Sequence, residues 1–344
     1  MKRNLKDYTL EELENMVTAE LKQPKFRGKQ IFTWLYRGVT DFSQMTDLSK
    51  PLREQLEETY SLGNLTVVKK YCSKLDETRR YLLQLEDGNY IESVLMKYHH
   101  GYTICISSQV GCAMGCAFCA STRGGKKRNL TAGEIVGQVM AVQRDLGERI
   151  SNIVMMGIGE PLDNYDQVLK FLEIVNHPLG LNVGHRHISL STCGLAEKIR
   201  HLADRDLQIT LSVSLHATND EKRSAIMPIN RKYPIGILMD ACRYYIKKTN
   251  RRISFEYTLI EGVNDGEADA AELIGLLKGM LCHVNLIPVN PTGAKGIRQG
   301  SRKSVEGFQK LLEMGGLTAT IRREMGSDIQ AACGQLRAQA EEDA

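Results

Sequence analysis

Beyond residue 101, the chain alternates short β-rich runs with segments of helical length, and this alternation limits the possible folds more than any other feature. Repeated strand–helix–strand order is typical of parallel strands with crossover helices, in an open sheet or in a complete or partial barrel. Active residues are then expected at the carboxyl ends of the strands. Strands are predicted at 103–107, 152–156, 187–192, 208–215, 253–259, 284–289 and 317–322, and helices at 131–146, 164–176, 195–204, 235–248, 266–278 and 304–314.

The residues before 101 follow two other patterns. Thr9 and Glu12 form a capping-box pattern before an apolar stripe of helical spacing, which predicts a small helical unit. Further along, the apolar period changes to two around the turn Asp87-Gly88, which predicts a β-meander or hairpin. The predicted boundaries are 1–61 for a helical accessory domain, 62–100 for the β-hairpin extension, 101–336 for the α/β domain and 337–344 for a tail.

Composition and charge exclude several classes of protein. Of the 344 residues, 42% are hydrophobic and 25% charged, as in ordinary globular proteins. There is no run of about 18 apolar residues, and acidic residues stand where a signal peptide is apolar, so we expect a cytoplasmic protein without a membrane partner. The formal net charge of +4 does not by itself identify a nucleic-acid-binding protein. Nine cysteines favour metal binding or thiol chemistry over a disulfide framework.

Three cysteines form the strongest local motif, Cys112-x-x-x-Cys116-x-x-Cys119. Random placement of nine cysteines would give only about 0.006 such triplets. Zinc would need a fourth ligand from elsewhere, whereas an iron–sulfur cluster held by three thiolates leaves one iron open to a chelating molecule. The spacing therefore favours a cluster over zinc, and buried structural cysteines are a third interpretation.

A second motif, Gly157-Ile-Gly159-Glu160-Pro161, follows the next predicted strand. Glycines there permit close backbone approach, and the carboxylate can accept hydrogen bonds from an ammonium group. Taken alone, the segment is better explained as a plain glycine turn after a strand. With the cysteine triplet, this order resembles the radical S-adenosylmethionine superfamily. In that superfamily the open iron is chelated by S-adenosylmethionine, which the reduced cluster cleaves to a 5′-deoxyadenosyl radical. The resemblance implies an α/β fold with a partial (β/α)6 barrel.

Further segments narrow the resemblance to the RlmN-type adenine-C2 RNA methyltransferases and extend it over nearly the whole chain. The segments begin at Cys105 (CISSQVGC), Lys127 (KRNLTAGEI), Ser191 (STCG), Ser214 (SLHA), Phe255 (FEY), His283 (HVNLIPVNP) and Ala331 (AACGQL). The resemblance implies that Cys112, Cys116 and Cys119 hold a [4Fe–4S] cluster. It implies S-adenosylmethionine contacts at Gly159, Glu160, Ser191, Ser214, Leu215, His216 and Asn290.

The same resemblance implies a mechanism. Adenine C2 cannot simply attack the methyl group of S-adenosylmethionine, and a thiolate is the natural acceptor among side chains. One S-adenosylmethionine would methylate Cys333, and a second would yield the radical that removes a hydrogen from the S-methyl group, which then adds to C2. Glu92 would accept the C2 proton, and Cys105 would release the product by forming a disulfide with Cys333. A solvent-facing strand carboxylate is the alternative role for Glu92.

The implied partners are 23S rRNA and tRNA, which the helical accessory domain would contact, together with a cellular electron donor and a disulfide reductant. Two basic segments without acids nearby in the sequence, 123–128 and 295–303, are candidates for phosphate binding or plain solvated loops. Trp34, with basic neighbours, is a candidate for RNA contact or for core packing. Two alternatives stay open: an adenine-C8 methyltransferase of 23S rRNA that confers antibiotic resistance, and a non-catalytic zinc protein that binds RNA. The oligomeric state is also open.

Overall fold

The N-terminal unit contains three α-helices and a pair of short strands in the computed structural model, which describes residues 2–290, 292–294 and 296–336. The predicted capping box is confirmed: the Glu12 amide donates to Thr9 Oγ1 (3.2 Å) and the Thr9 amide to Glu12 Oε2 (2.9 Å). Both bonds satisfy donors that the start of a helix leaves unpaired. The elements are β1 (Arg3–Asn4), α1 (Leu10–Ala19), α2 (Phe26–Tyr36), α3 (Lys50–Thr59) and β2 (Tyr60–Ser61).

A three-stranded antiparallel meander follows, and it is formed by β3 (Thr66–Cys72), β4 (Arg79–Gln84) and β5 (Tyr90–Tyr98). The predicted turn at Asp87-Gly88 is present, because Gly88 has a φ of 83° and the Asn89 amide donates to Asp87 Oδ1 (3.0 Å). β5 pairs with the next strand of the chain, so the meander and the α/β unit share one sheet. The sequence pattern predicts the meander but does not reveal this continuity.

The α/β unit confirms the predicted alternation, and the ends of each predicted element are shifted by at most two residues. The short β7–β8 hairpin and α7 are additions that the pattern did not predict. The elements are β6 (Gly101–Cys105), β7 (Gln109–Gly111), β8 (Lys126–Asn129), α4 (Ala132–Leu146), β9 (Ile150–Met155), α5 (Tyr165–Asn176), β10 (Ile188–Thr192), α6 (Ala196–Asp204), β11 (Thr210–Ser214), α7 (Asp220–Ile226), α8 (Ile235–Thr249), β12 (Ile253–Leu259), α9 (Glu267–Leu277), β13 (Cys282–Pro288), α10 (Arg302–Met314) and β14 (Ala319–Ile321).

Ten strands of the described residues form one mixed sheet in the order β14-β13-β12-β11-β10-β9-β6-β5-β4-β3. The seven strands from β14 to β6 are parallel. In the described part of the chain, β14 and β3 are the two edges and do not pair with each other, so the barrel is partial, as predicted.

The main hydrophobic core lies between this sheet and its helices, and Ile153, Leu190 and Phe255 are fully buried in it. Parallel strands that are covered on both faces need such apolar residues. A second, smaller cluster joins Met325 and Leu336 of the C-terminal segment to the inner face of β5 and β6. Within the described residues, no helix has the length and apolar character needed to cross a membrane.

Candidate active site

A cavity opens at the carboxyl ends of the parallel strands, with a volume of about 920 Å³ including the space at its mouth. Predicted site residues from six separate segments of the sequence meet there. The predicted site residues that line it are Cys112, Cys116, Cys119, Gly159, Glu160, Ser191, Ser214, His216, Asn290 and Cys333.

The three motif cysteines lie on the loop after β7, whose shape depends on close backbone packing. The Cys112 amide donates to the Gly125 carbonyl oxygen (3.0 Å), and the Cys119 amide donates to the Cys116 carbonyl oxygen (3.1 Å). Gly111 has a φ of 74°, and a Cβ at this position would collide with the same Gly125 oxygen. Glycine is therefore required immediately before the first cysteine.

The three thiols fit an iron–sulfur cluster better than a single zinc ion. None of them forms a disulfide, and burial raises the pKa of Cys112 to about 11 and that of Cys119 above its ordinary value. Thiolates here therefore need a neighbouring cation. Among the described residues, no group of three or more His, Cys, Asp or Glu side chains could hold one metal ion. Thiolates that bind three different irons of a [4Fe–4S] cluster need not converge on one point.

Glu160 places a carboxylate in the cavity wall, where two backbone amides fix its orientation. Its Oε1 accepts from the Leu162 amide (2.9 Å), and its Oε2 accepts from the Cys193 amide (2.7 Å). The residue is 3% exposed, and burial raises the pKa of its carboxyl group. Since each oxygen of a carboxylate can accept more than one hydrogen bond, Glu160 can also accept from an ammonium group in the cavity.

Gly159 permits the close backbone approach that the sequence motif suggested. Its φ is 109°, and a Cβ there would lie 2.7 Å from Ser108 Oγ and 2.8 Å from the Gln109 amide nitrogen. The next residue also contacts Gln109, because the Glu160 amide donates to Gln109 Oε1 (2.9 Å). A side chain at Gly159 would therefore displace the carboxylate that follows it.

His216 contributes a neutral hydrogen-bond donor to the cavity wall. Its Nδ1 accepts from the Thr258 amide (2.9 Å), so the ring proton is on Nε2. Burial lowers its pKa to about 3. Its φ of 55° lies in the left-handed region, and Asn264 Nδ2 supports this conformation by donating to the His216 carbonyl oxygen (2.7 Å). The ring is therefore uncharged at neutral pH.

Leu215 is the predicted S-adenosylmethionine contact that does not line the cavity, because its side chain is fully buried in the core. Its carbonyl oxygen accepts from Nε of Arg223 (3.0 Å), which also donates through Nη2 to the carbonyl oxygens of Cys193 (2.7 Å) and Ser214 (3.0 Å). Arg223 is fully buried and joins the loops that follow β10 and β11. Sequence reasoning missed it, because a run of charged residues normally predicts a solvated helix face.

We expect Arg223→Met to lower the free energy of unfolding by about 3 kcal/mol or more, since each buried carbonyl oxygen left without a donor costs about 1–3 kcal/mol. Chemical denaturation followed by circular dichroism measures the change. The exposed Arg231 gives a matched control, and Arg231→Met is expected to change stability by less than about 0.5 kcal/mol. Equal losses in the two variants would show that the buried guanidinium does not organise these loops.

Cys333 and Cys105 line a second cavity of about 430 Å³ that adjoins the first. Cys333 lines both cavities, so its side chain lies at their boundary. Cys105, the last residue of β6, belongs to a small hydrophobic cluster with Val94 and Met325, and burial raises the pKa of its thiol to about 12. Both cysteines are free thiols. The fold thus makes neighbours of two cysteines that are far apart in the sequence.

The segment that carries Cys333 is held to the turn between β3 and β4. Asp76 Oδ2 accepts from the Gly326 amide (3.0 Å), and Asp328 Oδ1 accepts from Ser73 Oγ (2.7 Å). This turn therefore fixes one end of the Cys333 segment relative to the meander.

The other end of the segment is held to the cluster loop and to the cavity wall. The Ala120 amide donates to the Gly334 carbonyl oxygen (2.7 Å), and Asn290 Nδ2 donates to the carbonyl oxygen of Cys333 itself (3.0 Å). Asn290 was predicted to contact S-adenosylmethionine, and the structure adds this second contact. Cys333 is therefore positioned relative to the loop of the three motif cysteines by one backbone bond and one side-chain bond.

Arg322 was not predicted, although it lines every cavity that Cys333 lines. Its Nη1 lies 3.7 Å from Oε2 of Glu256, which also accepts from Asn285 Nδ2 (2.7 Å). Proximity to the Cys333 sulfur raises the pKa of Arg322 above its ordinary value. Glu256 belongs to a segment of the family resemblance, but no sequence spacing pairs it with Arg322.

Glu92 is buried on β5 with an exposure of 4%, so the solvent-facing alternative is wrong. Its Oε1 lies 3.4 Å from Nη1 of Arg80. Val94, two residues further along β5, pairs directly with Cys105, so Glu92 is on the same face of the sheet as Cys105. Glu92 does not line the two cavities, and a substrate would have to reach it along this sheet face.

The basic segment 123–128 has no acids nearby in the sequence, but the fold brings acidic partners to it. Lys126 Nζ lies 2.7 Å from Oδ2 of Asp163, and Arg128 Nη1 lies 2.7 Å from Oε2 of Glu134. The acids belong to the loop after β9 and to the start of α4. Part of the positive charge in this segment is therefore neutralised within the protein.

The other candidate RNA contacts are also partly paired. In the segment 295–303, Arg302 Nε lies 2.7 Å from Glu306 Oε1. Lys295 lies outside the described residues, and so does the predicted tail 337–344. Trp34 donates from Nε1 to Asp47 Oδ1 (2.5 Å) and packs partly against the core.

Comparison with known proteins gives consistent results along the chain. The family model of the radical SAM superfamily matches residues 106–274, and that of the ribosomal RNA large subunit methyltransferase N-terminal domain matches residues 3–62. A relative from Alkaliphilus oremlandii, described as a probable dual-specificity RNA methyltransferase RlmN, is 57% identical over 98% of this chain and 98% of its own length. A relative of the same description from Clostridium beijerinckii is 56% identical over 97% of this chain and 94% of its own length.

A solved structure agrees with these sequence relatives. The crystal structure of a radical SAM methyltransferase from Sphaerobacter thermophilus superimposes with a TM-score of 0.94 at 48% identity, and the match covers 98% of this chain and 100% of that one. Such agreement in sequence and fold excludes the non-catalytic zinc protein. The chain belongs to the RlmN family of radical S-adenosylmethionine RNA methyltransferases.

Proposed function

We propose that the protein methylates C2 of adenosine in 23S rRNA and in tRNA, with Cys333 as methyl carrier and a transient disulfide between Cys105 and Cys333. The observation that carries the proposal is the position of Cys333, which lines the cofactor cavity and also the cavity that contains Cys105. A carrier must reach a methyl donor first and a resolving thiol last. The relatives' description as dual-specificity RNA methyltransferases supports two kinds of RNA substrate.

The superfamily uses a [4Fe–4S] cluster and S-adenosylmethionine, which together supply a radical that can remove a hydrogen atom from a methyl group. In this chain Cys112, Cys116 and Cys119 would hold the cluster, and Glu160 and Asn290 would contact S-adenosylmethionine. We propose two molecules of S-adenosylmethionine per turnover, one for methylation and one for the radical.

The chain's own residues would then act in sequence. Cys333 Sγ accepts a methyl group, and the activated S-methylene carbon bonds to adenine C2. Glu92 takes the C2 proton, and one electron leaves the adduct for the redox group that supplied it. The Cys105 thiolate then bonds through Sγ to Cys333 Sγ, the carbon–sulfur bond to the product breaks, and the released carbon takes a proton to become the methyl group. A dithiol reductant must reopen the disulfide, and an electron donor must reduce the cluster. The cytoplasm contains such reductants and the RNA substrates, so we propose that the protein acts there.

Cys105 is suited to react in the last step, because a thiol with a pKa of about 12 is a poor nucleophile until its surroundings change. Arg322 supplies a fixed positive charge beside both cysteines, and such a charge stabilises thiolates. Bond formation between Cys105 and Cys333 would therefore follow substrate attachment.

We expect Glu160→Gln to weaken S-adenosylmethionine binding about tenfold or more, because the carboxylate loses its charge opposite the ligand's ammonium group. The cluster should still assemble, since Glu160 is not one of its thiolates. Equilibrium binding to anaerobically reconstituted protein measures the affinity, and the exposed Glu197→Gln is the control. Unchanged affinity in Glu160→Gln would exclude the proposed contact.

Nucleoside mass spectrometry tests the proposed function. Reconstituted protein is incubated with unmodified 23S rRNA and tRNA, and the nucleosides of each RNA are compared with synthetic 2-methyladenosine and 8-methyladenosine. The proposal predicts 2-methyladenosine in both RNAs. Detection of 8-methyladenosine instead would favour the C8 enzyme, and product in rRNA alone would contradict the tRNA part of the proposal.

A further inference from the structure

The face of the sheet that carries Cys105 and Glu92 continues beyond the cavities onto the meander. Cross-strand pairing places Cys105 opposite Val94, Val94 opposite Arg80 and Arg80 opposite Tyr71. Directly paired residues share a face, so these four side chains form one row across four strands. At about 4.8 Å per strand, Tyr71 lies ~14 Å from Cys105.

A second row on the same face leads from Glu92 to the edge of the sheet. Glu92 is opposite Leu82, and Leu82 is opposite Lys69. Lys69 is exposed and Tyr71 is partly exposed, whereas Glu92 and Leu82 are buried. Exposure therefore increases from the reactive site towards β3.

The opposite face of the meander is covered by α4. Lys70 Nζ lies 2.9 Å from Asp145 Oδ1, and the Tyr81 hydroxyl donates to Asp145 Oδ2 (2.8 Å). Ser93 Oγ also donates to Gln138 on the same helix (3.0 Å). Neighbouring lysines on β3 are thus on different faces: Lys70 packs against a helix, and Lys69 lies on the face of the reactive residues.

Positive charge and an aromatic ring are combined along this face. The Arg80 guanidinium lies 4.2 Å from the centre of the Tyr71 ring, and Lys69 Nζ lies 4.9 Å from the same centre. Glu92 is an acidic neighbour of this group, and its Oε1 lies 3.4 Å from Nη1 of Arg80. A ring flanked by cations is a common feature of surfaces that bind single-stranded RNA, where bases stack on the ring and phosphates meet the cations.

Edge protection alone does not explain the arrangement. A lysine on an edge strand prevents pairing with another sheet, and Lys69 next to an irregular register in β3 would serve that purpose. That role does not require an aromatic neighbour or continuity with a catalytic face.

We propose that Lys69, Tyr71 and Arg80, here called the meander face, bind the RNA strand that flanks the target adenosine. A neighbouring base stacks on Tyr71, and a phosphate group contacts Lys69. The inference rests on the proposed function in one respect, that RNA is the substrate modified at this site. It adds a specific surface, outside the cofactor cavity, that guides the substrate to Glu92 and Cys105.

The adjacent lysines provide a matched test, since Lys69→Ala and Lys70→Ala remove the same charge from different faces. The KM for an unmodified 23S rRNA transcript is measured with reconstituted protein over a series of salt concentrations. Lys69→Ala should raise KM and lower the slope of log KM against log salt by about 0.7, the value for one phosphate contact on a single strand. Lys70→Ala should leave both quantities as in the parent protein.

Tyr71 tests the stacking part of the inference. Tyr71→Ala should raise KM at least about fivefold, whereas Tyr71→Phe keeps the ring and should retain most of the affinity. Each preparation is first tested for methylation of Cys333 by S-adenosylmethionine without RNA. This step tests the proposed carrier separately from RNA binding by the meander face. Failure of that step in the parent protein contradicts the proposed carrier. Normal Cys333 methylation with equal KM in Lys69→Ala, Lys70→Ala and Tyr71→Ala overturns the meander face.

Discussion

Alanine at Cys112, Cys116 or Cys119 is expected to abolish both cluster assembly and RNA methylation. The three thiols line one cavity, and the described residues around them offer no further group of His, Cys, Asp or Glu that could hold a metal ion in their place. Two thiolates would leave two irons without protein ligands, and the cluster would be lost to solvent. The expected result is colourless protein after anaerobic reconstitution, with iron and sulfide contents near background.

Cys242 gives the matched control for this loss. It is fully buried on α8 and does not line the cavity, so Cys242→Ala removes a buried thiol without touching the cluster loop. It should assemble a normal cluster at a moderate cost in stability. A triple variant of the motif cysteines that keeps the visible absorption and iron content of the parent protein would refute the cluster assignment.

The second large effect concerns Cys333 and Cys105, which are proposed to act at different stages of the reaction. Cys333→Ala should assemble the cluster and yield no methylated RNA, because Cys119, which also lines both cavities, is assigned to the cluster and is not available to carry a methyl group. Cys105→Ala should instead attach RNA and fail to release it, since the carrier remains but the resolving thiol is absent. Denaturing gels with and without nuclease separate these outcomes.

The double variant Cys105→Ala/Cys333→Ala is the control for non-specific cross-linking. It lacks both the carrier and the resolving thiol, and we expect it to form no adduct. An adduct of equal yield in the double variant would contradict the assigned roles of both cysteines. The cluster assignment would be unaffected, because neither residue belongs to the motif triplet.

Local patterns in the sequence predicted most of the α/β unit because they arise from burial along single elements. The strand predicted at 253–259 has those bounds in the structure, since apolar and polar residues alternate along β12. The helix α7 was missed, because its residues Asp220–Ile226 are mostly charged and its anchor is the buried guanidinium of Arg223. Sequence periodicity does not detect a helix held by polar contacts.

The site was predictable where its residues are neighbours in the sequence. The spacing of the cysteine triplet alone indicated a site, whereas the Gly159-Glu160 motif supported the prediction only beside the triplet. The pairing of Arg322 with Glu256 depends on two strands that meet only in the folded sheet. The ion pair between Lys126 and Asp163 likewise joins residues that are far apart in the sequence, so the spacing of charges did not reveal it.

The most direct test of the account is to map the RNA attachment site in purified Cys105→Ala protein. After nuclease and protease digestion, peptide mass spectrometry should find a nucleotide remnant on Cys333, joined through one carbon atom to the adenine ring. Release of that remnant as an adenine derivative substituted at C2 would link carrier and product in a single measurement. A remnant on any other residue, or free methylated RNA formed by Cys333→Ala, would contradict the proposed mechanism.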